Sequence, residues 1–281
     1  MSQISSSTYS RPVVAIMTDF GLGESDVGVM KAVIVGITPD AQIIDITHDV
    51  PPQNVPSGAW ILSYGYRYYP KDAVFVCVVD PGVGSSRNAI AVHAGNWYFV
   101  GPDNGLFSYI YAEQTVHAAV VLSNAAYHLP QVSSTFHGRD IFAPVGAHLA
   151  RGVPLPELGS SVAPAALQRI DVGLPQRQES HIDARILHTD TFGNLISSIP
   201  LSMVPDLFTS PRVRLVFPST GAMVDRRRRF FAAGSDDGQP FIFGDSSGYV
   251  GVAVQNGSAA RALGVGPGAT ITFDLAETEG V

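Results

Sequence analysis

Residues 74–87 read VFVCVVDPGVGSSR, and the first six letters decide the fold class. A continuous apolar run rich in β-branched residues suits a strand buried on both faces. It steps off into Asp80-Pro81-Gly82, a carboxylate on a glycine turn. The same grammar occurs earlier, where VVAIMT at 13–18 runs into Asp19-Phe20-Gly21. Between these runs, GVMKAVIVGI (28–37) and SGAWILSYGYRYY (57–69) read as helices, the second stopped by Pro70. Ala89–Val92 and Trp97–Val100 flank Ala94-Gly95-Asn96 as a hairpin, and RDIFAPVGAHLAR (139–151) is a helix interrupted by Pro144. This βαβ rhythm predicts an α/β domain with a mostly parallel, helix-covered sheet.

Beyond residue 152 the texture changes to a Pro-, Gly- and Ser-rich stretch with little periodicity, up to about 180. From His181 onward, β-type runs (ARILHTD, NLISSI, RVRLVF, PFIFG, YVGVAV, ATITF) alternate with turn residues. That spacing predicts an all-β domain of the barrel or sandwich kind. The boundaries are 11–163 for the α/β domain, 164–180 for a linker and 181–279 for the β domain.

The 281 residues are 46% hydrophobic and 15% charged, with a net charge of −7. Intrinsic disorder is excluded by that balance, and an acidic chain is a poor general partner for nucleic acid or anionic membrane. No apolar stretch reaches the roughly 20 residues that span a bilayer, so the chain reads as soluble and cytoplasmic. A single cysteine, Cys77, excludes a disulfide framework and reads as a buried apolar residue. The run Arg226–Arg229 reads as a solvated turn face.

Asp19 and Asp80 carry the first chemical signal, because ligands of open α/β sheets bind beyond the carboxyl ends of the strands. Caps and turns use the same residue, and the sequence alone leaves both readings open. DPGVGSSR lacks the Gly-Lys-Ser/Thr of a P-loop, and Gly21-Leu22-Gly23 lacks the third glycine of a dinucleotide fingerprint. His137-Gly138 at a helix entrance is a third candidate, while His48 in DITHDVPP stays ambiguous. Asp190 and Asn194 in TDTFGNL suit a turn between strands. With no HxH or HxxxH pattern, no metal ligand set is assigned.

Taken together, TDFG (18–21), DITHDVPP (45–52), VVDPGVGSSR (78–87), GPDNGL (101–106), STFHGRDIFAP (134–144) and FGNLI (192–196) resemble the S-adenosyl-L-methionine hydroxide adenosyltransferases. These are S-adenosylmethionine (SAM) hydrolases, relatives of the fluorinase and chlorinase. The resemblance runs from about residue 13 to 273. It implies an α/β domain, a barrel-like β domain, and a homotrimer holding substrate between neighbouring subunits. It also implies the conversion of SAM and water to adenosine and L-methionine by attack at ribose C5′, with SAM as substrate and no cofactor. Asp80, Arg87 and His137 fall on the polar set around the attacking water. Asp19 falls on the ribose-diol ligand, Asp190 on the acid facing the methionine ammonium, and Asn194 on the reader of the adenine edge. Phe136 with Gly138, Phe192 and Phe231 match the walls of the pocket. Ser246 and Ser247 open the stretch through Val254 that matches the methionine-carboxylate and adenine segment.

The halogenating relatives carry tyrosine where Asp80 stands, and Tyr-Ser or Tyr-Gly where His137-Gly138 stands, so this chain follows the hydrolase pattern. Its departures are Glu24 and Asp26 in place of Asp and Tyr, Asp245 in place of Asn, and Gly251 in place of Glu. Two alternatives are a halide adenosyltransferase and a non-catalytic SAM or adenosine sensor. Arg87 cannot be a base, since guanidinium stays protonated, and its role is a fixed positive charge. Asp80 and His137 both remain candidates to orient the water or take its proton.

Overall fold

The computed structural model describes residues 11–210, 213–234 and 237–275. It divides into two compact units after Ile170.

In the first unit the strands are β1 (Val13–Thr18), β2 (Gln42–Thr47), β3 (Val74–Val78), β4 (Ala89–Ala94), β5 (Trp97–Pro102), β6 (Val116–Val121) and β7 (Ser160–Ser161). They form one sheet in the order β2-β1-β3-β5-β4-β6-β7. The helices are α1 (Asp26–Ile37), α2 (Val55–Gly65), α3 (Ser108–Glu113) and α4 (Ala143–Ala150).

The continuous apolar runs are explained by a sheet covered on both sides. Alternate residues of β1 and β3 enter different cores: Ala15, Met17, Phe75 and Cys77 pack with Val55, Leu62 and Ile110 of α2 and α3. Val14, Ile16, Val74, Val76 and Val78 pack with Met30, Ile34, Val145 and Leu149 of α1 and α4. Cys77 is fully buried as read, and burial pushes its thiol pKa up.

The expectation of a mostly parallel sheet needs correction. β1 runs parallel to β2 and β3, and β3 to β5, but the β5–β4, β4–β6 and β6–β7 pairings are antiparallel. The cause is the hairpin through Gly95-Asn96, with Gly95 at φ +57, which reverses the chain after β4 and makes the sheet mixed. Pro144 proves to sit in the first turn of α4, directly after a wider turn at Gly138–Phe142, and the Asp140 carbonyl that its missing N–H would meet accepts from Leu129 N–H at 2.9 Å instead.

In the second unit the strands are β8 (Gln176–Arg177), β9 (His181–Thr189), β10 (Leu195–Pro200), β11 (Arg214–Phe217), β12 (Ala222–Val224), β13 (Pro240–Gly244), β14 (Tyr249–Val254) and β15 (Thr270–Asp274), with one short helix, α5 (Ala259–Leu263). The order is β12-β11-β15-β9-β10-β14-β13, with β8 beside β9. Among the described residues the named strands pair antiparallel throughout, and an isolated parallel bridge joins Arg227 to Ile242. Arg228 N–H donates to Ile242 O at 2.9 Å and Ile242 N–H to Arg226 O at 2.7 Å, so the two ends of the sheet nearly close into a barrel around Ile182, Leu215, Phe217, Ile242, Val252 and Phe273.

The Pro/Gly-rich stretch is shared between the units. Leu167 is buried in the first core and Gln168 N–H donates to Asp103 at 2.9 Å, whereas Arg185 pairs with Asp171 in the second unit. Among the described residues no helix is long and apolar enough to cross a membrane.

Candidate active site

Thr18 and Val78 are register partners at the carboxyl ends of adjacent parallel strands, which sets Asp19 and Asp80 at one edge of the first unit's sheet. Two further contacts bring the motifs to this edge. Phe20 meets the edge of Phe136 with ring centroids 5.8 Å apart. Gly84 (φ +75) approaches Ser134 so closely that a Cβ there would lie 2.3 Å from its carbonyl oxygen. TDFG, DPGVGSSR and STFHGRD therefore converge.

Their polar groups form one connected set. Arg87 Nε donates to Asp80 Oδ1 at 2.9 Å and Oδ2 at 3.1 Å, and Arg87 Nη2 donates to Asp80 Oδ2 as well. The same Nη2 lies 2.8 Å from His137 Nδ1. The pair is withdrawn from solvent, the Arg87 side chain being 10% and that of Asp80 4% exposed, and the guanidinium carbon stands 5.3 Å from the Phe142 ring centroid.

A guanidinium only donates, so His137 Nδ1 must be the acceptor and the neutral ring carries its proton on Nε2. Its pKa is consistent with that state. Burial, and then the Arg87 cation, hold it below the usual histidine value, against the opposing pull of Asp80 and Asp140.

His137 leads into a single wide turn, Gly138–Phe142, closed by Ala143 N–H on Gly138 O. Such i→i+5 turns frequently mark functional sites. The fully buried Asp140 anchors the turn by accepting from Ser133 N–H at 2.8 Å and from Arg139, which hold its carboxyl below the ordinary range despite its burial. Gly138 is buried, and a Cβ would come within 3.2 Å of both Met30 Sδ and the Phe136 ring.

Asp19 accepts Gln53 N–H on Oδ2 at 2.7 Å, leaving Oδ1 for a ligand. DITHDVPP acts as its support: His48 O accepts from Gly21 N–H at 2.8 Å, and buried His48 Nδ1 lies 2.9 Å from Thr18 Oγ1.

The second unit holds its own cavity, about 650 Å³ in volume, whose walls include Phe192, Asn194, Phe231 and Val254, all singled out from sequence, together with Gln255 and Arg261. Phe192 is 78% and Phe231 47% exposed, which is unusual for bare aromatic faces and suits a planar ligand. Asn194 Nδ2 donates one hydrogen to Asp190 Oδ2 at 2.8 Å, which leaves Oδ1 as an acceptor and the second Nδ2–H as a donor for a ligand. Asp190 Oδ1 accepts from Phe192 N–H at 2.9 Å and Asn194 N–H at 2.8 Å. The turn reading of Asp190 and the ligand reading of Asn194 are therefore coupled.

Ser246 and Ser247 do not line this cavity. They occupy the turn between β13 and β14, where Ser247 N–H donates to Asp245 Oδ2 at 2.7 Å, at the end of β14 away from Val254.

Sequence reasoning missed Gln255. The signal was the run Arg226–Arg229, whose reading as a solvated face holds for the exposed Arg226 and Arg229 but not for Arg228, which is buried, lies 4.4 Å from the Phe241 ring centroid and donates to Gln255 Oε1 at 2.6 Å. Arg227 likewise donates to the Leu207 carbonyl at 3.1 Å.

Comparisons with known proteins place the chain in a family. The profile of the SAM hydroxide adenosyltransferase N-terminal domain matches residues 14–159, and that of the C-terminal domain matches 184–272. The chain is 41% identical over 263 residues to a protein of Salinispora arenicola named (R)-S-adenosyl-L-methionine hydrolase, covering 92% of this chain and 96% of that one. It is 38% identical to a Thermus thermophilus protein of the same name, covering 92% and 97%, and 24% identical to a fluorinase of Actinopolyspora mzabensis, covering 91% and 94%. Among solved structures, an uncharacterized conserved protein from Thermotoga maritima superposes with a TM-score of 0.86 at 34% identity, covering 93% of this chain and all of that one. The chain belongs to the SAM hydroxide adenosyltransferase family.

Proposed function

We propose that this protein hydrolyses S-adenosyl-L-methionine to adenosine and L-methionine. The observation that carries the reading is the connected, part-buried Asp80–Arg87–His137 set, together with relatives named for that reaction. A water oxygen attacks ribose C5′, the C5′–S bond breaks, and its electron pair returns to sulfur as a neutral thioether. No acid is needed for such a leaving group. What is needed is a water held in line and stripped of competing partners. Arg87 supplies fixed positive charge that favours hydroxide character in that water. Because His137 Nδ1 is occupied by Arg87, Asp80 is assigned the proton and His137 Nε2–H remains a donor that orients the water.

Asp19 takes the ribose hydroxyls against its open oxygen. Phe192 and Phe231 flank adenine, with Asn194 Oδ1 accepting from the exocyclic amine, and the wall at Val254 completes that pocket. Phe136 and Gly138 border the ribose. Asp190 faces the methionine ammonium, and Ser246 and Ser247 its carboxylate. The assembly is a homotrimer in the cytoplasm, with substrate between neighbouring subunits, and no cofactor takes part.

The test is incubation with SAM in ¹⁸O-labelled water containing chloride, with products identified by mass spectrometry. Adenosine labelled at the 5′ oxygen with equimolar methionine is expected. A 5′-chloro product would identify a halide transferase, and intact SAM despite tight binding would identify a sensor.

A further inference from the structure

The two polar side chains of GPDNGL, at 101–106, touch none of Asp80, Arg87 or His137 by hydrogen bond. Asp103 through its backbone and Asn104 through its side chain instead meet the chain on either side of the catalytic loop. Asn104 Nδ2 donates to the carbonyl of Val79 at 2.9 Å, the residue before Asp80. Asp103 N–H donates to the carbonyl of Asn88 at 2.9 Å, the residue after Arg87. Two consecutive residues thus grip both ends of the segment 80–87.

The grip is itself held firmly. Asn104 Oδ1 accepts from Leu106 N–H at 3.2 Å, which fixes the amide orientation so that Nδ2 faces Val79. Buried Asp103 accepts from Gln168 N–H at 2.9 Å. Gly101 lets the segment approach β3, since a Cβ there would lie 2.4 Å from Cys77 O. Within the gripped segment, Ser85 Oγ donates to Gly82 O at 2.6 Å and accepts from Arg87 N–H at 3.3 Å. The spacing between Asp80 and Arg87 is therefore not set by their own ion pair alone.

We infer that Asn104 is a positioning residue for the hydrolysis, holding the Val79 carbonyl so that Asp80 meets the Arg87 fork in the geometry that orients water. This rests on the proposed function. Asn104→Ala removes the clasp without altering any group assigned to substrate. A misplacement of about 1 Å can cost on the order of 10²-fold in rate. The expected result is a 10- to 100-fold fall in single-turnover rate, with KM for SAM and affinity for adenosine changed less than about threefold.

The discriminating measurement is a double-mutant cycle with Asp80→Asn. If Asn104 acts through Asp80, Asn104→Ala removes less than about twofold further activity in that background. An unchanged rate, an equal loss in both backgrounds, or a loss expressed in KM overturns the inference. Should Asn104→Ala fail to fold, Asn104→Asp enters the same cycle, since it keeps the acceptor for Leu106 N–H and sets a carboxylate oxygen against the Val79 carbonyl where the donor stood. Absence of adenosine from the unaltered protein would be a failure of the hydrolase reading instead. The clasp is then judged by NMR: the Arg87 Nε–H should exchange with solvent faster in Asn104→Ala, and equal exchange would overturn it.

Discussion

Arg87→Lys separates the charge of the catalytic cation from its shape. Arginine spends Nε and Nη2 on Asp80 while the same Nη2 reaches His137. A lysine ammonium is a single point of charge on a flexible stem. It can stay with Asp80, so that carboxylate is not left buried and alone, but it gives up the fork and the bond to His137 Nδ1. A hydrogen bond to a charged group is worth about 1.5–3 kcal/mol. Adding the loss of directed positive charge at the water, a total of about 3 kcal/mol is reasonable, or roughly 10²-fold in kcat/KM at about 1.36 kcal/mol per tenfold. Steady-state release of adenosine from SAM reads the effect. Thermal unfolding should stay within a few degrees of the unaltered protein. Arg87→Met, by contrast, strands a carboxylate that is 4% exposed, at about 3–5 kcal/mol, and should lower Tm by about 10 °C. Arg87→Lys within twofold of full activity would refute the reasoning, because charge alone would then suffice.

His137→Asn offers an amide oxygen in place of Nδ1 and is expected to keep kcat within about tenfold, while Asp80→Asn loses 10²-fold or more; the reverse order in single-turnover assays would make His137 the base. Burial lowers the pKa of His93, His128, His137, His148 and His188, so the folded state binds fewer protons than the unfolded one below about pH 6.5. Their contribution is complete above the unfolded histidine value and is lost on acidification towards the depressed folded values. Tm should therefore fall as pH is lowered from 6.5, and a flat Tm between pH 7 and 5 would contradict this. Asn194→Ala should raise KM by about 10-fold or more, at 1–3 kcal/mol for a lost acceptor, with little change in kcat, measured alongside adenosine binding by calorimetry. Gly84→Ala places a Cβ 2.3 Å from Ser134 O at φ +75 and should destabilise by about 2 kcal/mol or more, seen as a lower denaturation midpoint.

Much of the α/β unit was legible because its signals are local. VVAIMT, up to its last residue Thr18, and VFVCVV are apolar at every position since both faces of β1 and β3 are covered, and the turn at Gly95-Asn96 can be read from two letters. The parallel fraction was overestimated because a hairpin's consequence for strand direction depends on which neighbours its strands choose. That choice is made by packing far along the chain. Pro144 reads as a flaw in a helix drawn from residue 139, and only the wide turn at 138–142 makes it a first-turn residue.

The site shows the same division. Asp19, Asp80 and Asn194 announce themselves through their turns, and those turns persist: Asp190 and Asn194 bond to each other, so a cap and a ligand are not rival readings there. The contacts of Arg227 and Arg228 escaped because a backbone carbonyl or an aromatic face leaves no mark on the arginine that uses it. GPDNGL escaped for a related reason. Asn104 contacts a carbonyl and Asp103 uses its backbone N–H, so neither advertises the chemistry it supports. Arg87 and His137, 50 positions apart, meet directly, but the ends of the segment that carries Arg87 are held by interactions of this silent kind. A search confined to acids, bases and nucleophiles would find the reacting groups and miss what holds them in register.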